Sequence, residues 1–195
     1  MYFHPRERIG LFLDGLHLHA TAKALGFNID YKRLIASFRQ SGRLVRAHYY
    51  LAFIEDHGDL VRRFASWLCY NEFTVVTKAA KEYPDGMGGR KIKTSVDVEL
   101  TVDALSLAPN LDHIVLFAGN SDYARLAAAL QKKGRRVSVI STIQSSPAML
   151  SDELRRQADQ FIDLVDLRPL IGREQKSNNK VHAAHDDSFR GSIVL

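Results

Sequence analysis

The chain reads as an α/β protein built on a doubly wound, three-layer sheet of five parallel strands. Two observations predict this. Short apolar runs alternate with amphipathic stretches of ten or more residues, the signature of strands joined by crossover helices. Most of the helical stretches stop at a glycine or a proline, which separates each from the strand that follows. The 195 residues suffice for one domain with a full core and a tail.

The elements follow in order. RIGLFLD (8–14) is an apolar run ended by an acid and reads as a buried strand. LHLHATAKALG (16–26) reads as a helix closed by Gly26. Residues 31–41 carry Leu34, Ile35 and Phe38 at helical spacing. RLVRAHYYLAF (43–53) is rich in Val, Tyr and Phe and reads as the second strand. DLVRRFASWLCYN (59–71) is amphipathic, with Leu60, Phe64, Trp67 and Leu68 on one face and Cys69 expected as a buried thiol. FTVVTKA (73–79) is a third strand, followed by a glycine-rich basic loop, YPDGMGGRKIK. TSVDVELTVDALSLAP (94–109) is a helix stopped by Pro109. HIVLFAG (113–119) and RVSVIST (136–142) are the fourth and fifth strands, with a helix over 121–134 between them closed by Gly134. SPAMLSDELRRQADQFIDL (146–164) reads as one long last helix, and 165–167 as a candidate short strand. The domain is placed at 8–168 and a flexible tail at 169–195, because REQKSNNKVHAAHDDSFRGSIVL is polar and aperiodic.

Composition narrows the function. One cysteine excludes an internal disulfide framework and a cysteine-rich zinc site. No run is long enough to span a bilayer, and the N-terminal residues do not read as a signal peptide, so the expected location is cytoplasmic. A net charge of +5 and a pI near 9.4 fit a polyanionic partner as well as simple solubility. Lys78, Lys81, Arg90, Lys91 and Lys93 gather in and around the glycine-rich loop, which makes it the candidate phosphate-contacting segment. Lys132, Lys133, Arg135 and Arg136 read as a solvated helix end. Neither a Walker motif, a GxGxxG nor a GxSxG is present.

Three acids stand out. Asp14 ends the first strand, Asp97 opens a helix, and Asp122 follows the fourth strand. In a doubly wound sheet, ligands bind beyond the carboxyl ends of the strands, where the strand order reverses. The order 3-2-1-4-5 would set strand 1 beside strand 4 and bring these acids to one crevice. Converging carboxylates suit hard Mg²⁺ or Mn²⁺, which takes oxygen ligands and leaves room for water and phosphate. Each acid also has a structural reading: Asp14 as a helix cap, Asp97 and Asp122 as first-turn acids stabilised by the helix dipole.

The stretches FLDGLHLHATAKALGF, VTKAAKEY, KTSVDVELTVDAL, HIVLFAGNSDYARL and STIQSSPAMLSDELRRQADQFIDL resemble the NYN-domain family, specifically its LabA-like branch within the PIN-like nucleases, over residues 9–167. The resemblance implies a five-stranded parallel sheet in the 3-2-1-4-5 order and a metal-dependent ribonuclease. It places the family's acids on Asp14, Asp97 and Asp122. Two positions depart from the pattern. Where the family has Gly-Asp-x-Asp, this chain has Gly119-Asn120-Ser121-Asp122, and where it has Asp-Gly-x-Asn, this chain has Asp14-Gly15-Leu16-His17.

The resulting expectation is a Mg²⁺- or Mn²⁺-dependent endoribonuclease acting on single-stranded RNA. Asp14, Asp97 and Asp122 would be catalytic and would hold the cation with the Asn120 carbonyl. His17, Ser121, Arg90, Lys91 and Lys93 would meet the substrate, and Tyr83 and Tyr123 would stack on bases. His17 reads either as a proton donor or as a stand-in for the hydrogen-bonding Asn. The rival reading is a silent member, weakened at Asn120, that binds RNA or regulates. A homo-oligomer is left open.

Overall fold

The computed structural model describes residues 3–53, 58–84, 90–93 and 95–173, with the backbone alone at 58, 81–84 and 90–93. Strand β1 (Arg8–Asp14) has every residue from Ile9 to Leu13 buried, which is what a central strand covered on both faces requires. It pairs in parallel with β2 (Arg43–Phe53), and β2 with β3 (Thr74–Ala79). The next two strands, β4 (Lys81–Pro84) and β5 (Arg90–Lys93), form a separate antiparallel pair. On its other side β1 pairs with β6 (His113–Phe117), followed outward by β7 (Arg136–Ser141) and β8 (Gln160–Asp163), all parallel. The order β3-β2-β1-β6-β7-β8 is the expected one with a sixth strand added at the edge.

Alternation along β1 sorts the two cores. Ile9, Leu11 and Leu13 pack into one cluster with α1 (Gly15–Ala24), α2 (Tyr31–Ser41), α3 (Gly58–Tyr70) and α7 (Leu164–Ile171). Phe12 points the other way, into a cluster with α4 (Asp97–Leu107), α5 (Tyr123–Lys132) and α6 (Asp152–Gln157). Three layers result. Gly26 and Gly134 sit at φ +71° and +72° just past α1 and α5, the left-handed conformation that ends a helix at glycine without a Cβ penalty.

Four expectations are corrected. The long helix over 146–164 is a short helix, α6, followed by the sixth strand. Ala158 turns extended at ψ 141°, and Asp159 then ties to Val137, donating its N–H to the Val137 carbonyl and accepting the Val137 N–H on Oδ2. Pairing with β7 therefore overrides a sequence that reads as helix. Residues 165–167 belong to α7, which carries the packed chain past residue 168 to a buried Ile171. The basic segment is part of a hairpin, with Tyr83 opposite Lys91 and Lys81 opposite Lys93; residues 85–89 at its turn lie outside the described residues, as do 174–195 of the expected tail. Cys69 is exposed, and Trp67 is 39% exposed, because the buried stripe of α3 runs through Val61 and Leu68 and leaves both at its margins. Trp67 lies flat on Phe64, with the Lys32 ammonium over its ring.

Candidate functional site

The sheet reverses direction of growth between β1 and β6, so the crevice of this fold opens where these two strands end. Leu13 lies opposite Phe117 in the register. The next residue of β1 is Asp14, and the turn after β6 is Ala118–Asp122, so both predicted segments leave the sheet at this point.

Asp14 does cap a helix. Its Oδ1 accepts the N–H groups of Leu16 and His17 at 3.1 Å each, which fixes the carboxylate at the head of α1. Capping does not make the group comfortable. Burial, reinforced by the charge of Asp97, raises its pKa to about 6 against the pull of these hydrogen bonds. Asp97, in the first turn of α4, performs no capping. Its Oδ2 accepts from Ser95 Oγ at 2.6 Å and its Oδ1 from the Tyr123 hydroxyl at 2.7 Å. The same hydroxyl also lowers the pKa of Asp14 as a hydrogen-bond neighbour. Tyr123 has one hydroxyl hydrogen and two carboxylates beside it. Burial and these two acids push its own pKa far above the usual phenol range, so it stays a donor.

Tyr123 is the residue that sequence reasoning missed. It is 1% exposed and cannot stack on a base, as had been expected of it. The available signal was its place at the head of α5 on the same face as Ala127 and Leu130, which marks it as buried; an inward hydroxyl then needs a polar partner.

Asn120 and Asp122 form a local, exposed arrangement. Asn120 Nδ2 donates to Asp122 Oδ2 at 3.4 Å, and Asn120 Oδ1 accepts the Asp122 N–H at 3.2 Å and the Ser121 hydroxyl at 3.4 Å. Asp122 stands at the N-cap of α5 without a side-chain capping bond, a position where the helix dipole still favours an acid. Among the described residues, no three His, Cys, Asp or Glu side chains are gathered as a metal-holding group. The structure thus joins Asp14 with Asp97 through Tyr123 and keeps Asn120, Ser121 and Asp122 as a set of their own.

His17 spans the crevice floor. Thr21 Oγ1 donates to the His17 carbonyl at 2.8 Å and Ser141 Oγ to the Met149 carbonyl at 3.2 Å, so both hydroxyls turn lone pairs toward His17 Nε2. That network assigns the ring hydrogen to Nε2. Burial lowers the pKa to about 4, so the ring is neutral at physiological pH and holds no imidazolium proton to donate. The hydrogen-bonding role is the one the geometry supports. Gly119 makes room for this ring: a Cβ there would collide with the Met149 carbonyl and with the imidazole.

The side chains of Arg90, Lys91 and Lys93 lie outside the described residues. Lys78, counted with that basic cluster, is engaged, its Nζ 2.8 Å from Glu99 Oε1. Asp103 accepts the Tyr50 hydroxyl at 3.0 Å and so braces the strand next to Asp14.

The donor set at Asp14 and Asp97 fits a hard divalent cation. Both groups are carboxylates, they repel one another, and the Asp14 pKa is raised first by burial and then by the charge of Asp97; a cation would relieve that repulsion. Mg²⁺ is commonly held by one or two carboxylates, with water and phosphate filling its remaining positions.

A parallel α/β sheet with two half-buried acids near its switch point defines a class of proteins that bind their ligands at the carboxyl edge. The NYN domain family matches residues 8–167, and the chain belongs to that family. It is 31% identical over 187 residues to the low amplitude and bright protein LabA of Synechococcus elongatus, covering 94% of this chain and 97% of that one. A crystal structure of a Vibrio parahaemolyticus protein of unknown function superposes with a TM-score of 0.67 at 25% identity, covering 84% of this chain and 96% of that one. Among the described residues no helix is long and apolar enough to cross a membrane.

Proposed function

We propose that the chain is a Mg²⁺- or Mn²⁺-dependent endoribonuclease of the NYN family, acting on single-stranded RNA. The observation that carries this reading is the pair of carboxylates, Asp14 and Asp97, facing one tyrosine hydroxyl at the switch point of a NYN domain. Asp14 and Asp97 would hold the cation, with Asp122 and the Asn120 carbonyl contributing from the β6–α5 turn. The chemistry such a cation supplies is neutralisation of phosphate charge and activation of water. The protein's own groups do the rest. Tyr123 and Ser95 orient the Asp97 carboxylate, and the α1 N–H groups orient that of Asp14. His17, neutral and bound to Ser141, sets the distance between α1 and the β7 edge of the crevice. Arg90, Lys91 and Lys93 are proposed to follow the RNA backbone.

The second reading, an RNA-binding protein without cleavage, draws on Asn120, an amide where the family carries an acid. One titration separates the two. Cleavage of a labelled single-stranded RNA is followed against Mn²⁺ and Mg²⁺ for the native chain, Asp14→Asn and Asn120→Asp. The enzyme reading expects weak cleavage in Mg²⁺, stronger cleavage in Mn²⁺, a lower metal requirement on Asn120→Asp, and loss on Asp14→Asn. No cleavage at any metal concentration by the native chain or by Asn120→Asp establishes the binding reading.

A further inference from the structure

A second concave site lies away from the acid crevice. It is a groove of about 770 Å³ between the end of α1, the start of α2 and the end of α7. Its walls carry His19, Lys23, Arg33, Arg168 and Arg173, and no Asp or Glu. These cations have different duties. Arg33 donates to the carbonyls of Pro169, Leu170 and Gly172, so it fastens the end of α7 to α2. Arg168 lies over the Phe27 ring at 5.8 Å and is exposed. Lys23 is exposed in the last turn of α1, where the helix dipole also favours a cation. Neither Lys23 nor Arg168 has a carboxylate partner among the described residues. A concave wall that carries Lys23 and Arg168 concentrates anions from solution.

We propose that this groove binds the phosphodiester backbone of the RNA, with Lys23 and Arg168 as the contacting cations. It rests on RNA as the ligand of the proposed function and is independent of cleavage. Position supports the assignment. Helix α1 starts at Asp14 in the acid crevice and ends beside the groove, so the two sites are joined by one rigid element. Nine residues of helix separate Asp14 from Lys23, a rise of about 14 Å, and a strand lying along α1 would reach both. The groove adds cationic attraction to that proposed for Arg90, Lys91 and Lys93.

The test is fluorescence anisotropy of a labelled single-stranded oligonucleotide with the full chain, in EDTA so that binding is read without cleavage, from about 0.05 to 0.5 M salt. Each lost phosphate contact on a single strand reduces the salt slope by about 0.7, so Lys23→Gln with Arg168→Gln should flatten it by about 1.4 and weaken binding about 25-fold near 0.1 M salt. Lys23→Gln alone, an exposed change, should give about a fivefold loss and covers the case in which Arg168→Gln disturbs Phe27. Lys132→Gln with Lys133→Gln, at the far end of α5, is the control of equal charge and should change the slope by less than the value of one contact, about 0.7. An unchanged slope in the double variant, an equal loss in the control, or competition by nucleoside monophosphate that abolishes the Lys23 effect while RNA binding persists would each overturn the groove as an RNA site. A native chain that binds RNA through Lys23 and Arg168 yet cleaves none would leave this inference standing and remove the nuclease reading alone.

Discussion

Replacing Asp14 by Asn should make the metal-free protein more stable, and only above a defined pH. The Asp14 carboxyl has its pKa raised from the ordinary 3.8 to about 6 by burial and by Asp97. A carboxyl so raised binds its proton more tightly when folded than when unfolded, so stability falls as pH rises from about 4 to about 6. At 1.36 kcal/mol per pH unit, holding the anion at neutral pH costs roughly 3 kcal/mol, and we take about 2 kcal/mol as the part that Asn recovers. Asn keeps the capping bonds, since its Oδ1 can accept the Leu16 and His17 N–H groups as the carboxylate does. The expected gain is about 4–8 °C in Tm for a chain of this size. Urea denaturation in EDTA between pH 4 and 8 is the assay, read as the difference between native chain and variant. His17, with its pKa lowered to about 4, acts in the opposite sense: its neutral form is the folded one, so its contribution is lost as pH falls from 6.5 toward 4. Taking the difference cancels that term, because His17 is present in both proteins. A variant less stable than the native chain at pH 7, or a difference that does not shrink toward pH 4, would refute the picture of two uncompensated acids.

Three further outcomes follow from the same geometry. Tyr123→Phe should lower stability by about 1–2 kcal/mol despite near-identical shape, since Asp97 loses its 2.7 Å bond inside the fold; equilibrium unfolding measures this. Gly119→Ala should destabilise by about 3 kcal/mol or more, because the colliding atoms include a backbone carbonyl that cannot swing aside; soluble yield and Tm both report it. Asp112, held at about pKa 2 by the Arg8 guanidinium, contributes stability that is present above its ordinary 3.8 and lost as pH falls through 2, so Asp112→Asn should flatten the acid limb of the stability curve between pH 4 and 2.

Particular elements show where sequence reading succeeds. Strand β2 was legible residue for residue, since an eleven-residue stretch rich in Val, Tyr, Leu and Phe reads as a strand. The ends of α1 and α5 were legible through Gly26 and Gly134. Strand β8 was not, because QFID follows a helix without any glycine or proline, and only the free edge of β7 draws it into the sheet. Cys69 was misjudged for a related reason: helical spacing gives a face, while the width of that face depends on what packs against it.

The site divides along the same line. Sequence alone marked Asp14 and Asp122, each close behind an apolar run, and Asp97 at the opening of a helix. It also determined that an amide, Asn120, and a histidine, His17, stand within three positions of Asp122 and Asp14. Only tertiary structure decided how these groups are related. Asp14 and Asp97 are 83 positions apart in the chain and meet through a tyrosine from a third segment. The neutrality of His17 comes from burial, and its ring is held by the Ser141 hydroxyl of a strand more than a hundred residues away. Chemical type is written in each residue, but charge state, hydrogen-bond partner and access to solvent are set by neighbours that the chain brings together only on folding.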